Sequence, residues 1–173
     1  MLPGMYFQMF SQIKKGLTQL NTWLDAAEKH AADKKFDSSV FLTERVIADQ
    51  FAFARQVQIT CDTAKLGASR LTGKEAPSHE DTEKTLGELK ARVSSTIAYL
   101  NTFNEADFAK TAERSITQPR WEGKTMTGND YFFEHVVPNF FFHASHVYVI
   151  LRKNGVPVGK RDFLGPLTQR LPS

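Results

Sequence analysis

Apolar residues recur every three to four positions through most of this chain. Four stretches carry that period long enough to make helices. In the first, Met5 to about Ala32, the residues Tyr6, Met9, Phe10, Ile13, Leu17, Leu20 and Leu24 fall on one face. A polar connection follows, and Asp37, Ser38 and Ser39 are residues of the kind that start a helix. The second helix is predicted from about Leu42 to Leu71, stopped by Gly73, with Val46, Phe53, Val57 and Leu71 inward. Asp49, Phe53, Gln56 and Thr60 share one stripe on it. The third is predicted from about Asp81 to Thr102, with Leu86, Leu89, Val93, Ile97 and Leu100 as its apolar stripe. Ser78 and Asp81 have the spacing of a capping box there, and His79 is expected to face solvent.

Residues 104–128 lose the helical period. Within them Ile116 to Met126 reads as a small two-stranded excursion turning at Glu122-Gly123, with Trp121 anchoring it over one end of the helices. The fourth helix is predicted over Asn129 to Gly155, with Pro138 in its interior. Proline has no backbone N–H and clashes with the preceding turn, so a kink near His135 to Pro138 is expected. The tail, 156–173, carries three prolines and is expected to be extended, with Phe163 and Leu164 docking on the helices and the last residues trailing free. The fold class is therefore all-α. It is a four-helix bundle in one domain, with its core over about 5–155 and a long irregular connection between the third and fourth helices.

The candidate chemistry lies on the fourth helix, the most aromatic stretch, which holds three of the five histidines. His135, Asn139, His143 and His146 follow one another at helical spacing along one face. The rest of that helix is apolar nearly all round, so it is expected to be buried. A polar stripe on a buried helix needs partners: hydrogen bonds, water or a metal. Asp49 has two readings, an ion pair with Arg45 on a wet face or an inward ligand or hydrogen-bond acceptor.

Composition narrows the function classes. The chain has 173 residues, 24% of them charged, and a formal net charge of +3. Its Lys and Arg residues are scattered. With no basic stripe, recognition-helix signal or base-stacking motif, nucleic acid is not an expected partner. The densest cationic group, Arg152, Lys153, Lys160 and Arg161, is read as a solvated helix end, with an anion site as the other reading. The single cysteine, Cys61, lies in an apolar helical stretch and is expected to be a buried, inert thiol. No stretch is long and apolar enough for a membrane span, and the N-terminus lacks signal-peptide features, so a cytoplasmic protein is expected.

Two blocks carry a family resemblance: DQFAFARQVQITCDTAKLGASRLTG, and later PNFFFHASHVYVILRKNGVPVGKRDFLG. They resemble the DUF1993 family, which is related to the DinB/YfiT-like group of metalloenzymes. The resemblance runs from about Tyr6 to Gly165. It implies a four-helix bundle with a site between helices, where many DinB-like proteins bind a divalent metal through three histidines. Carried onto this sequence, those positions fall on Asp49, Asn139 and His143, with His146 as a further nitrogen. One carboxylate, one amide and one imidazole make a harder site than three imidazoles, one leaning to manganese, iron or magnesium.

Three readings follow. One is a metal-dependent enzyme, a thiol-dependent transferase or a hydrolase, in which the metal activates a low-molecular-weight thiol or water. Arg152, Lys160 or Arg161 would then hold a substrate carboxylate. The second is a binding protein or homodimeric scaffold whose metal site is replaced by a buried polar network, with Tyr6, Phe7 and Phe10 as candidates for a dimer face. The third is a metal-free His/Asp pair acting as a general base.

Overall fold

A computed structural model describes residues 3–170. Four long helices pack around one aromatic-rich core: α1 (Pro3–Lys34), α2 (Phe53–Thr72), α3 (Leu86–Leu100) and α5 (Val137–Lys153). Helix α1 packs on α3, α3 on α2, α2 on α5, and α5 back on α1, so α1 and α2 stand diagonally across the bundle. The predicted stripe of α1 is buried except for Met9, which is half-buried like Phe7, while Tyr6 and Phe10 pack in the core. Among the described residues no helix is long and apolar enough to cross a membrane.

The second helix begins later than its apolar pattern suggests. Asp37 caps a 3-10 turn over Ser38–Thr43 by accepting from the Ser39 N–H at 2.8 Å. Glu44 then turns extended, and residues 45–52 are irregular. The Arg45 guanidinium bonds the Gln50 carbonyl, and the Phe53 N–H reaches back to the Glu44 carbonyl at 2.8 Å. These bonds hold the backbone that a helix would have used. Ile47 and Phe51 stay exposed as a result. At its other end α2 stops as predicted, with Gly73 left-handed and its N–H on the Ser69 carbonyl.

The third helix also starts later, at Leu86. Its capping box is Thr85 with Glu88, not Ser78 with Asp81. The stretch before it is held by a charge cluster around one buried arginine. Arg92, almost wholly buried, pairs with Asp62 of α2 and with Asp81 and Glu83 of the loop, at 2.8 to 2.9 Å. Burial opposes the Glu83 carboxylate, yet bonds from Arg92 and Gln58 hold its pKa below the usual range. His79 does not face solvent freely. Its ring lies 3.1 Å from Lys65 Nζ and 3.0 Å from Ser95 Oγ, tying the loop to α2 and α3.

Residues 101–127 cover one end of the bundle. Their strands β1 (Ser115–Ile116) and β2 (Met126–Thr127) pair antiparallel and turn through Glu122 and Gly123, both at positive φ, as the pattern predicts. Trp121 packs edge-on against Tyr131, 5.9 Å between rings. The final long segment enters as α4 (Gly128–Asp130), widens into a π-helical turn (Tyr131–Val136) and continues as α5, with Pro138 in the first turn of α5. The kink expected from Pro138 takes this form. A short helix α6 (Lys160–Leu164) replaces part of the extended tail. Phe163 stacks on Trp23 at 5.4 Å, and Trp23 Nε1 donates to the Asp162 carbonyl. Leu164 is exposed, and the last three residues lie outside those described.

The junction of cover and helix tolerates no side chain at Gly128. A Cβ there would stand 1.9 Å from the Thr111 carbonyl oxygen, while the Gly128 N–H bonds the Arg114 carbonyl at 2.7 Å. Gly128→Ala is therefore expected to destabilise the protein by about 1–3 kcal/mol, read from chemical denaturation. A substitution without effect would mean the cover is not packed this tightly.

Candidate functional site

Two members of the polar stripe of the fourth helical segment, Asn139 and His143, find separate partners on α2. Asn139 Nδ2 donates to Thr63 Oγ1 at 2.7 Å. His143 Nδ1 lies 2.7 Å from Gln56 Oε1. Gln56 Nε2 in turn donates to the Phe51 carbonyl at 3.2 Å, which orients the amide with its oxygen toward the imidazole. His143 must therefore carry its proton on Nδ1, leaving Nε2 as a bare lone pair. Burial first, then the His146 and Arg55 charges, pushes the His143 pKa down to about 4. The ring is neutral at pH 7.

His143 stands in the wall between two cavities. The larger, of about 270 Å³, is a cleft between α2 and the π-turn and α5, closed on one side by the hairpin cover. It is reached by Arg55, Arg70, Arg120, His135, Asn139 and His143. The smaller, about 200 Å³, is lined by Asp49, Phe51, Phe142 and His143. The π-turn puts His135 into the same cleft as His143. In an α-helix, residues four apart overshoot a turn by about 40° each time. The wider π-turn takes more residues per turn and cancels part of that drift. Tyr131, His135, Asn139 and His143, each four apart, thus all line one cleft.

Of the three carried-over positions, His143 alone reaches both cavities. Asp49 lies in the irregular segment before α2 and lines the smaller cavity, while Asn139 lines the larger. His146 lines neither cavity; its Nδ1 donates to the Phe142 carbonyl at 2.7 Å. No group of three His, Cys, Asp or Glu side chains is close enough to hold a metal among the described residues. Three arginines line the cleft, and their charge works against a cation there. The donor set present does not fit a divalent centre. Arg152, Lys160 and Arg161 line neither cavity, and Lys153 is spent on Glu44 and the Arg45 carbonyl. Cys61 is buried, and its thiol is pushed up to about 12 by that burial, as an inert thiol requires.

The periodicity left out Gln56 as the partner of His143, and Arg55, Arg70, Gln118 and Arg120 as cleft residues. One signal for part of this was present. Gln56, Thr60 and Thr63 are buried polar residues spaced four and three apart, a stripe on α2 matching that on α5.

The family model described as a domain of unknown function, DUF1993, matches residues 5–164. The crystal structure of a DinB family member protein from Shewanella denitrificans is similar over 98% of this chain and 97% of its own. The identity is 49% and the TM-score 0.94. No functionally curated protein matches this chain.

The depressed His143 pKa has a stability consequence. Between pH 6.5 and about 4 the unfolded chain binds a proton here that the folded chain does not. Stability is lost as pH falls through that window and levels off below it. Wild type is expected to lose about 2–3 kcal/mol relative to His143→Gln between pH 7 and pH 4, measured by urea unfolding of both proteins. Parallel pH curves for the two would contradict the assignment.

Proposed function

This chain belongs to the DUF1993 family, and we propose that it acts on a small organic molecule bound in the cleft between α2 and α5, with His143 as the proton acceptor. The observation carrying this reading is the Phe51–Gln56–His143 relay. It holds the imidazole in one tautomer while burial keeps it neutral, with Nε2 free to accept a proton or hydrogen bond from a ligand. Asn139, tied to Thr63, fixes the wall one turn away. A plain buried network would spend both ring nitrogens; here one is kept bare beside a cavity.

A pKa of about 4 makes His143 a weak base in the free protein. A negatively charged ligand in the cleft would raise it toward the working range, since an opposite charge favours the imidazolium. Substrate binding and base strength are thereby coupled. No step is assigned to a metal, because the side chains in the cleft do not fit one.

Two measurements test the reading. Metal analysis of tag-free protein, after incubation with zinc, manganese, iron and nickel, is expected to give far less than one ion per chain. One stoichiometric ion, lost in an Asp49→Ala/His143→Ala double variant, would replace this reading with the metal-dependent one. Turnover of a panel of small acids, esters and thiol conjugates is expected to fall about 100-fold or more in His143→Gln. Turnover unchanged in that variant would remove His143 from the chemistry.

A further inference from the structure

The cleft is supplied with hydrogen-bond donors that have nothing to donate to. Gln118, more than nine-tenths buried, lines it, and its Nε2 has no partner. His135 also lines it. Arg120 Nη2 lies 2.6 Å from His135 Nε2, and a guanidinium can only donate, so the imidazole proton sits on Nδ1. That Nδ1 is buried and without a partner as well. Burial first, then Arg120 and Arg70, lowers the His135 pKa, so the ring is a neutral donor.

The charges around these donors are one-sided. Neither Arg70 nor Arg120 has a carboxylate partner among the described residues. Arg70 Nη1 donates to Tyr131 Oη at 2.9 Å, which leaves the phenol proton free to donate. Asp62 is the one acidic side chain lining the cleft, and it is paired with Arg92 at 2.8 Å and Lys65 at 3.2 Å. Buried donors without acceptors cost stability. A native protein that keeps two of them beside two uncompensated guanidiniums is built for an acceptor that arrives with a ligand.

We propose that this cleft binds a small organic carboxylate, its oxygens held by Arg120 and Gln118 Nε2, with Arg70 completing the positive field and His135 fixed by Arg120 as a neutral wall. Phe51, Ile59 and Leu66 form the apolar wall for the rest of the molecule. A cavity of about 270 Å³ sets a metabolite-sized limit. This assignment rests on the cleft being the functional site and names its substrate class.

The test is calorimetric titration and thermal shift of tag-free protein with benzoate and butanoate. Benzamide and butanamide serve as neutral analogues, and inorganic phosphate as the competing anion. The carboxylates are expected to bind at least ten-fold more tightly than their amides and than phosphate. Arg120→Gln, at an exposed position, and Gln118→Leu are each expected to weaken benzoate at least ten-fold. Gln118→Leu should also raise the melting temperature of the ligand-free protein, because it removes an unpaired buried donor. A residue holding only structure would lower it. Amides binding as well as carboxylates, phosphate binding more tightly, or a Gln118→Leu variant that binds benzoate normally would each overturn the assignment. A His143→Gln variant that binds benzoate normally but loses turnover supports both readings. Carboxylate binding with turnover independent of His143 overturns the catalytic one alone.

Discussion

Pro138 is the constraint on which the rest of the site depends. It removes one backbone donor from a helix that packs on α1 and α2 with one face and leaves Phe133, Phe142 and Val149 exposed on the other. The chain accommodates this with a π-helical turn over Tyr131–Val136 placed just before it. The extra width pushes Val136 against α2, where only a glycine gives room; a Cβ on Gly67 would lie 2.8 Å from Val136 Cγ1. Close approach at Val136 and the widened turn beside it together open a cleft while keeping the bundle packed. The same turn brings Tyr131 and His135 to the surface that Asn139 and His143 already occupy.

The cleft's electrostatics are decided on its far side. Arg92 and Lys65 are buried, and both engage Asp62. Burying such cations is costly, and the carboxylates of Asp62, Asp81 and Glu83 offset that cost only because the loop before α3 folds over them. Asp62 is thereby neutralised. The guanidiniums of Arg70 and Arg120 then face the cavity without a carboxylate of their own. A structural cluster on one side of α2 sets the sign of the potential on the other.

Resemblance to DinB-like proteins leads to an expectation of three metal ligands, carried here onto Asp49, Asn139 and His143. His143 keeps a ligand's geometry, with one nitrogen tied and the other bare. Asn139 is bonded to Thr63, and Asp49 lies on an irregular segment that lines another cavity. What remains is a neutral imidazole beside a set of cationic and neutral donors. That arrangement suits acid–base chemistry on an anion better than it suits a cation.

Local rules were enough for much of this. The apolar period placed four helices, and turn residues placed the hairpin at Glu122-Gly123 and the stop at Gly73, because these depend on facing and backbone conformation alone. They also placed Asn139 and His143 on an inward face and predicted a break near Pro138. They failed where a longer-range bond competed with the helix. Arg45 to the Gln50 carbonyl kept residues 45–52 irregular, and Thr85 rather than Ser78 capped α3. The site itself was only half legible. A stripe tells which residues point inward, but not what comes to meet them. Gln56, Thr63, Gln118 and Arg120 meet the stripe from α2 and from the cover, and no spacing within one helix reports on those. Which nitrogen of His143 is bare, and which donors go unpaired, follow from contacts between residues far apart in the chain. Only the tertiary structure decides them.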